Sequence, residues 1–172
     1  MKKLALLFVV LGFLFANNAK SQTYYDFTLT DLNGDDITLS ELLQDGPVLL
    51  GFWATWCSPC KEEMKYMQEI YEKYKAKGFT YLAVNTDSQK SLSKVKSYIS
   101  SKGYTFPVVL DTDEKIFNAY LGEGMPYSLL INQNKEIVAK HLGFIVGDEA
   151  KIEKEVVNVL PEGNSESDAM DK

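Results

Sequence analysis

The chain contains two cysteines, Cys57 and Cys60, which stand two residues apart just after the apolar run Val48-Leu49-Leu50-Gly51-Phe52-Trp53. A run of this length without polar alternation suits a strand buried on both faces. Pro59, between the cysteines, opens a segment with helical spacing that extends to about Lys77. Proline is tolerated in a first helical turn because its missing N–H would have no partner there. A buried strand, a turn and a helix beginning at the cysteines constrain the fold more than any other feature of the chain.

Chemistry at that junction follows from backbone physics. The first N–H groups of a helix lack internal partners and, with the helix dipole, favour negative charge. A free thiol ionises near pH 8.5, and such positions lower its pKa to roughly 3.5–7.5. The loop between Cys57 and Cys60 is very short, so a disulfide across it constrains the unfolded chain little. Redox chemistry accounts for the pair better than a structural staple does. On a helical wheel Cys60, Met64, Met67, Tyr71 and Tyr74 share one stripe, which is expected to face the core. Cys60 then heads the buried face and Cys57 is the more exposed. Cys57 is expected to attack a partner's disulfide and Cys60 to resolve the mixed disulfide.

Glu63 lies on the flank of that stripe, one turn after Cys60. Half-buried, its carboxyl would have a raised pKa and could exchange a proton with the thiol; solvated, it would be an ordinary helix-face glutamate. Glu62–Lys65 and Glu69–Lys73 are spaced as surface ion pairs. C-x-x-C alone is shared by redox and metal sites. Zinc ordinarily takes four ligands, and the chain offers two cysteines and one histidine, His141. Covalent haem attachment requires histidine after the second cysteine, where Lys61 stands. No metal and no cofactor is expected.

The remaining sequence predicts an α/β domain with a mixed sheet. A hairpin is expected within 23–43 around Asn33-Gly34, followed by a short helix capped by Ser40. Further strands are expected at 80–85, 106–110, 127–131 and 137–142, and helices at 91–102, from Asp111 or Asp113 to Tyr120, and at 148–160. Gly122 and Gly124 read as a flexible approach to Met125-Pro126, and Trp53 as core. Trp56 is expected at the active-site rim.

The N-terminus carries a secretory pattern: Lys2 and Lys3, an apolar stretch from Leu4 to Ala16, then Ala19-Lys20-Ser21. The stretch is shorter than the roughly 18 residues of a membrane-spanning helix. Residues 1–21 are expected to be removed as a signal peptide, 22–160 to fold, and 161–172 to form a disordered acidic tail. The whole chain has net charge −6, and loss of Lys2, Lys3 and Lys20 takes it to −9. Such acidity disfavours nucleic acid, which demands clustered positive charge. Export places the cysteines where disulfides form.

Phe52-Trp53-Ala54-Thr55-Trp56-Cys57-Ser58-Pro59-Cys60-Lys61 resembles thioredoxin and its relatives. With Tyr81-Leu82-Ala83-Val84-Asn85, Phe106-Pro107-Val108-Val109-Leu110-Asp111 and Met125-Pro126-Tyr127-Ser128-Leu129-Leu130-Ile131, the resemblance extends over residues 23–160. It is to the exported TlpA/ResA-like thiol–disulfide oxidoreductases of the AhpC/TSA–redoxin superfamily. It implies a thioredoxin fold, a central mixed β-sheet flanked by helices, with an N-terminal β-hairpin and a βα insertion. It implies a monomeric protein-disulfide reductase of exported partners, including apocytochrome c before haem attachment, supplied with electrons by a membrane thiol-transfer protein. Cys57, Cys60 and Glu63 would be catalytic. Pro126 would be the cis-proline facing the cysteines. Trp56, Ser58, Pro59, Met125 and Pro126 would contact substrate, the Met125 backbone by strand-edge pairing. Gly51 stands where thioredoxin has a buried aspartate, and Tyr127 where threonine is common, so the resemblance does not extend to the shape of the substrate groove. Two other readings use the same cysteines. A peroxiredoxin-like peroxidase would have threonine three residues before its cysteine, where Ala54 stands. A copper or haem carrier would bind its cargo without catalysis.

Overall fold

The computed structural model describes residues 24–161. The expected signal peptide and the tail from residue 162 lie outside the described residues. The first strands, β1 (Thr28–Thr30) and β2 (Asp36–Thr38), form the expected antiparallel hairpin. Asp31 organises its turn by accepting the backbone N–H groups of Asn33, Gly34 and Asp35.

Helix α1 (Leu39–Asp45) follows. Ser40 does not cap it: that residue lies inside the helix, and the Asp26 carboxylate accepts the Ser40 N–H at 3.0 Å. The cap comes from 14 residues upstream, because the preceding chain folds back over the helix start.

The remaining elements are β3 (Val48–Trp53), α2 (Ser58–Tyr74), β4 (Thr80–Asn85), α3 (Leu92–Lys102), β5 (Val108–Leu110), α4 (Lys115–Ala119), β6 (Tyr127–Ile131), β7 (Ile137–Leu142) and α5 (Asp148–Val159). Five strands form one sheet in the order β5-β4-β3-β6-β7; β3 runs parallel to β4, and β6 antiparallel to both its neighbours. The βα segment β5–α4 precedes the closing hairpin and extends the sheet by a parallel edge strand. A bridge from Asp31 to Val109 joins the N-terminal hairpin to that edge.

β3 is central and buried along its whole length, which explains its continuous apolar sequence. Leu49 and Trp53 face one core with α2, α3 and α5; Val48, Leu50 and Phe52 face another with α1 and α4. Gly103, at φ 64°, ends α3, and Asp111 caps α4 by accepting the N–H groups of Ile116 and Phe117.

Gly122 is not the flexible link that its sequence neighbours suggest. A Cβ there would lie 2.2 Å from the Phe117 ring, and its N–H donates to the Phe117 carbonyl. The residue is glycine because a ring packs directly on its backbone.

Candidate active site

The cysteines occupy the N-terminus of α2. Cys57 is the N-cap, with extended backbone, and its Sγ accepts the Cys60 N–H at 3.2 Å. Pro59 lies in the first turn. The two sulfurs form a disulfide, with Cα atoms 5.4 Å apart. Cys57 retains 4% of its surface and Cys60 none, the asymmetry expected from the helical wheel. Trp56 is 70% exposed, and Ser58 and Pro59 are exposed beside it. Trp56 forms one wall of a groove of about 410 Å³ that also includes Asp87, Ser88, Asp113 and Glu114.

The loop before Cys57 is held from the end of β4. Asp87, buried, accepts the Thr55 N–H at 2.6 Å and the Thr55 hydroxyl at 2.7 Å. Asn85 donates to the same carboxylate at 2.9 Å. Sequence reasoning missed this clasp: its partners are 32 residues apart, and nothing local to either marks the pairing.

The Met125–Pro126 bond is cis. Phe52 on β3 pairs with Tyr127 on β6, so the chain entering β6 and the chain leaving β3 meet at one sheet end. Met125 is half-buried there, with its sulfur 3.6 Å from the Thr86 hydroxyl. Tyr127 points away from this face: its ring packs on Phe52 and Phe117, and its hydroxyl donates to the Tyr120 carbonyl.

Glu63 is buried one helical turn after Cys60, with 2% of its surface exposed. Loss of solvent pushes its carboxyl up to about 8; the neighbouring Ser128 hydroxyl opposes the shift and Asp148 adds to it. The wheel put this residue at a flank; the structure encloses it completely. The stripe is rotated slightly, so that Ile70 is buried and Tyr71 lies at the rim against Phe106. Glu62 pairs with Lys65 as expected. Lys73 pairs with Glu153 on α5 at 2.6 Å rather than with Glu69. His141 sits 2.8 Å from Glu155. Among the described residues, no three His, Cys, Asp or Glu side chains converge to hold a metal ion.

A family model described as "AhpC/TSA family" matches residues 21–154. The chain belongs to the AhpC/TSA family. Within it, the thiol-disulfide oxidoreductase ResA of Geobacillus kaustophilus is similar, 38% identical over 143 residues, covering 83% of this chain and 79% of that protein. The protein of the same name in Bacillus anthracis is 36% identical over 168 residues, covering 88% and 93%. Among solved structures, the thioredoxin domain of a thiol-disulfide oxidoreductase from Bacteroides vulgatus superposes with a TM-score of 0.68 at 30% identity, covering 81% of this chain and 99% of that one. The fold is thus that of thioredoxin, and this AhpC/TSA protein is a thiol–disulfide oxidoreductase.

Proposed function

We propose that this protein works outside the cytoplasm, reducing disulfides in exported partner proteins, apocytochrome c among them, with electrons from a membrane thiol-transfer protein. The observation that carries the reading is the Cys57–Cys60 disulfide capping α2, with the Glu63 carboxyl buried one turn further along the same helix. The secretory pattern of residues 1–21 supports the compartment, and the names of the relatives support thiol–disulfide exchange.

In the reduced protein the Cys57 thiolate attacks one sulfur of a partner's disulfide. That S–S bond breaks, a mixed disulfide forms, and the first partner thiolate takes a proton from solvent. Cys60 then gives its proton to the Glu63 carboxylate, and its thiolate attacks Cys57 Sγ. The second partner sulfur leaves as a thiolate and takes a proton from solvent, and the Cys57–Cys60 disulfide remains. Two electrons have passed to the partner. When a donor dithiol reopens the pair through Cys57, Glu63 returns the proton to the Cys60 thiolate. At neutral pH burial keeps Glu63 largely protonated in the oxidised protein, ready for that step. Trp56, Ser58 and Pro59 form the exposed rim that a partner meets, and the Met125–Pro126 segment offers it a backbone edge.

The test has two parts. The Cys60→Ser variant should accumulate covalent mixed disulfides with exported proteins, while Cys57→Ser accumulates none. The Cys57–Cys60 couple should have a potential of about −250 mV or below. A potential near about −120 mV would make the protein an oxidant and sink the reductase reading.

A further inference from the structure

Gly51 leaves space on the sheet face beneath α2, and Tyr81 fills it. A Cβ at position 51 would lie 2.4 Å from the Tyr81 hydroxyl and 2.6 Å from its ring. Tyr81 pairs with Leu49, two residues before Gly51, so its side chain leaves β4 on the same face. Ser128 is the partner of Gly51 across β6 and shares that face too. Leu49, Tyr81, Cys60 and Met64 belong to the core on this side, and Glu63 descends into it from α2.

Both hydroxyls are buried; the Tyr81 hydroxyl has no hydrogen-bond partner among the described residues, and Ser128 reaches the Glu63 carboxyl only outside ordinary hydrogen-bond geometry. A buried hydroxyl left unsatisfied is costly. Both hydroxyls act on the one fully buried carboxyl of α2, Ser128 as a donor and Tyr81 through its proximity, which points to a use that arises when the carboxyl changes state. Tyr81 cannot serve by ionising, because burial holds its phenol well above the ordinary range, with Glu63, Tyr104 and Tyr98 reinforcing the shift. It remains an O–H donor throughout.

We propose that Tyr81 and Ser128 are positioning residues for the Glu63 proton: their O–H groups turn to the carboxylate when the proton leaves, directly or through an enclosed water. The proposal rests on the reading of Glu63 as the proton carrier for Cys60. Tyr81 thereby supplies, from β4, the buried polar group absent at Gly51. The other titratable groups facing the cluster are Asp148 on α5, which disfavours ionisation of Glu63, and His141, the β7 partner of Ser128, which lies 2.8 Å from Glu155 of α5. The disulfide lies on Glu63's own helix.

Carboxyl carbon NMR of the full oxidised chain follows the Glu63 titration directly. Removing a donor to a carboxylate disfavours the charged form, so the midpoint in Tyr81→Phe should rise by about one unit. Ser128→Ala should raise it similarly, and Ser128→Thr, which keeps the hydroxyl, should leave it near wild type. Midpoints within about 0.2 units of wild type in both Tyr81→Phe and Ser128→Ala would overturn the proposal, even if melting temperatures fell. If Tyr81→Phe does not fold, the contrast between the two Ser128 variants decides. The pH profile of disulfide exchange in Glu63→Gln tests the proton-carrier reading separately. A profile matching wild type sinks that reading and leaves the titration result standing.

Discussion

Asp87 holds Thr55 with both carboxylate oxygens, accepting the backbone N–H on one and the hydroxyl on the other. Thr55 lies two residues before Cys57, so a carboxylate at the end of β4 fixes the loop that presents the disulfide and Trp56. Asp87→Ala leaves the Thr55 donors and an Asn85 amide without their acceptor and should cost about 2 kcal/mol or more. Thr55→Val keeps the backbone bond and should cost about 1 kcal/mol. Denaturant unfolding measures both. An Asp87→Ala protein within about 0.5 kcal/mol of wild type would show that the clasp is incidental.

The Glu63 carboxyl gives the oxidised protein a distinctive dependence on pH. The group ionises near 4.5 unfolded and near about 8 folded. Between those values the folded state binds a proton that the unfolded state has lost, so stability falls as pH rises. The contribution is fully present below 4.5 and gone above 8. At about 1.4 kcal/mol per unit of pKa shift the loss amounts to several kcal/mol. Glu63→Gln cannot titrate and should lack this fall. Asp26, Asp31, Glu72 and Glu153, all lowered below their usual values, act at more acidic pH and in the opposite sense. Parallel stability curves for the two proteins from pH 5 to 8 would contradict the raised pKa.

Gly51 and Tyr81 should behave as a coupled pair. Gly51→Ala drives a methyl group into the Tyr81 ring and should cost about 1–3 kcal/mol. In a Tyr81→Val background the same change should cost much less, with a coupling of about 1 kcal/mol or more in the double-mutant cycle. Additive effects would mean that the space at Gly51 is not reserved for the ring.

Trp56 has little to lose on the folded side, being mostly exposed. Trp56→Ala should alter stability by no more than about 0.5 kcal/mol. Exchange with a protein disulfide should slow on the order of tenfold, as expected for loss of an aromatic contact residue. Reaction with glutathione should be unaffected. Equal slowing with both substrates would show that Trp56 acts on the disulfide rather than on the partner.

The core strands were legible because their signals are local. Val48–Trp53, Thr80–Asn85, Tyr127–Ile131 and Ile137–Leu142 are apolar or alternating runs bounded by turn residues, and they form over those bounds. The expectations that failed depend on distant partners. Ser40 has the chemistry of a cap, but Asp26 reaches the helix start instead. Lys73 has Glu69 one turn away, yet α5 brings Glu153 closer to its amine. Gly122 resembles a hinge until the Phe117 ring is in place.

Sequence alone determined that the cysteines open a helix behind a buried strand, that Cys60 faces inward, and that Glu63 follows it by one turn. These are consequences of helical period and of side-chain chemistry along one segment. Only the tertiary structure decided that Glu63 is fully enclosed, that Asp87 grips Thr55, and that Tyr81 and Ser128 flank the carboxyl. A helical period specifies the direction in which a side chain leaves its helix. Its depth depends on what the sheet and α5 place over it, and desolvation, which sets the proton affinity of Glu63, depends on that depth.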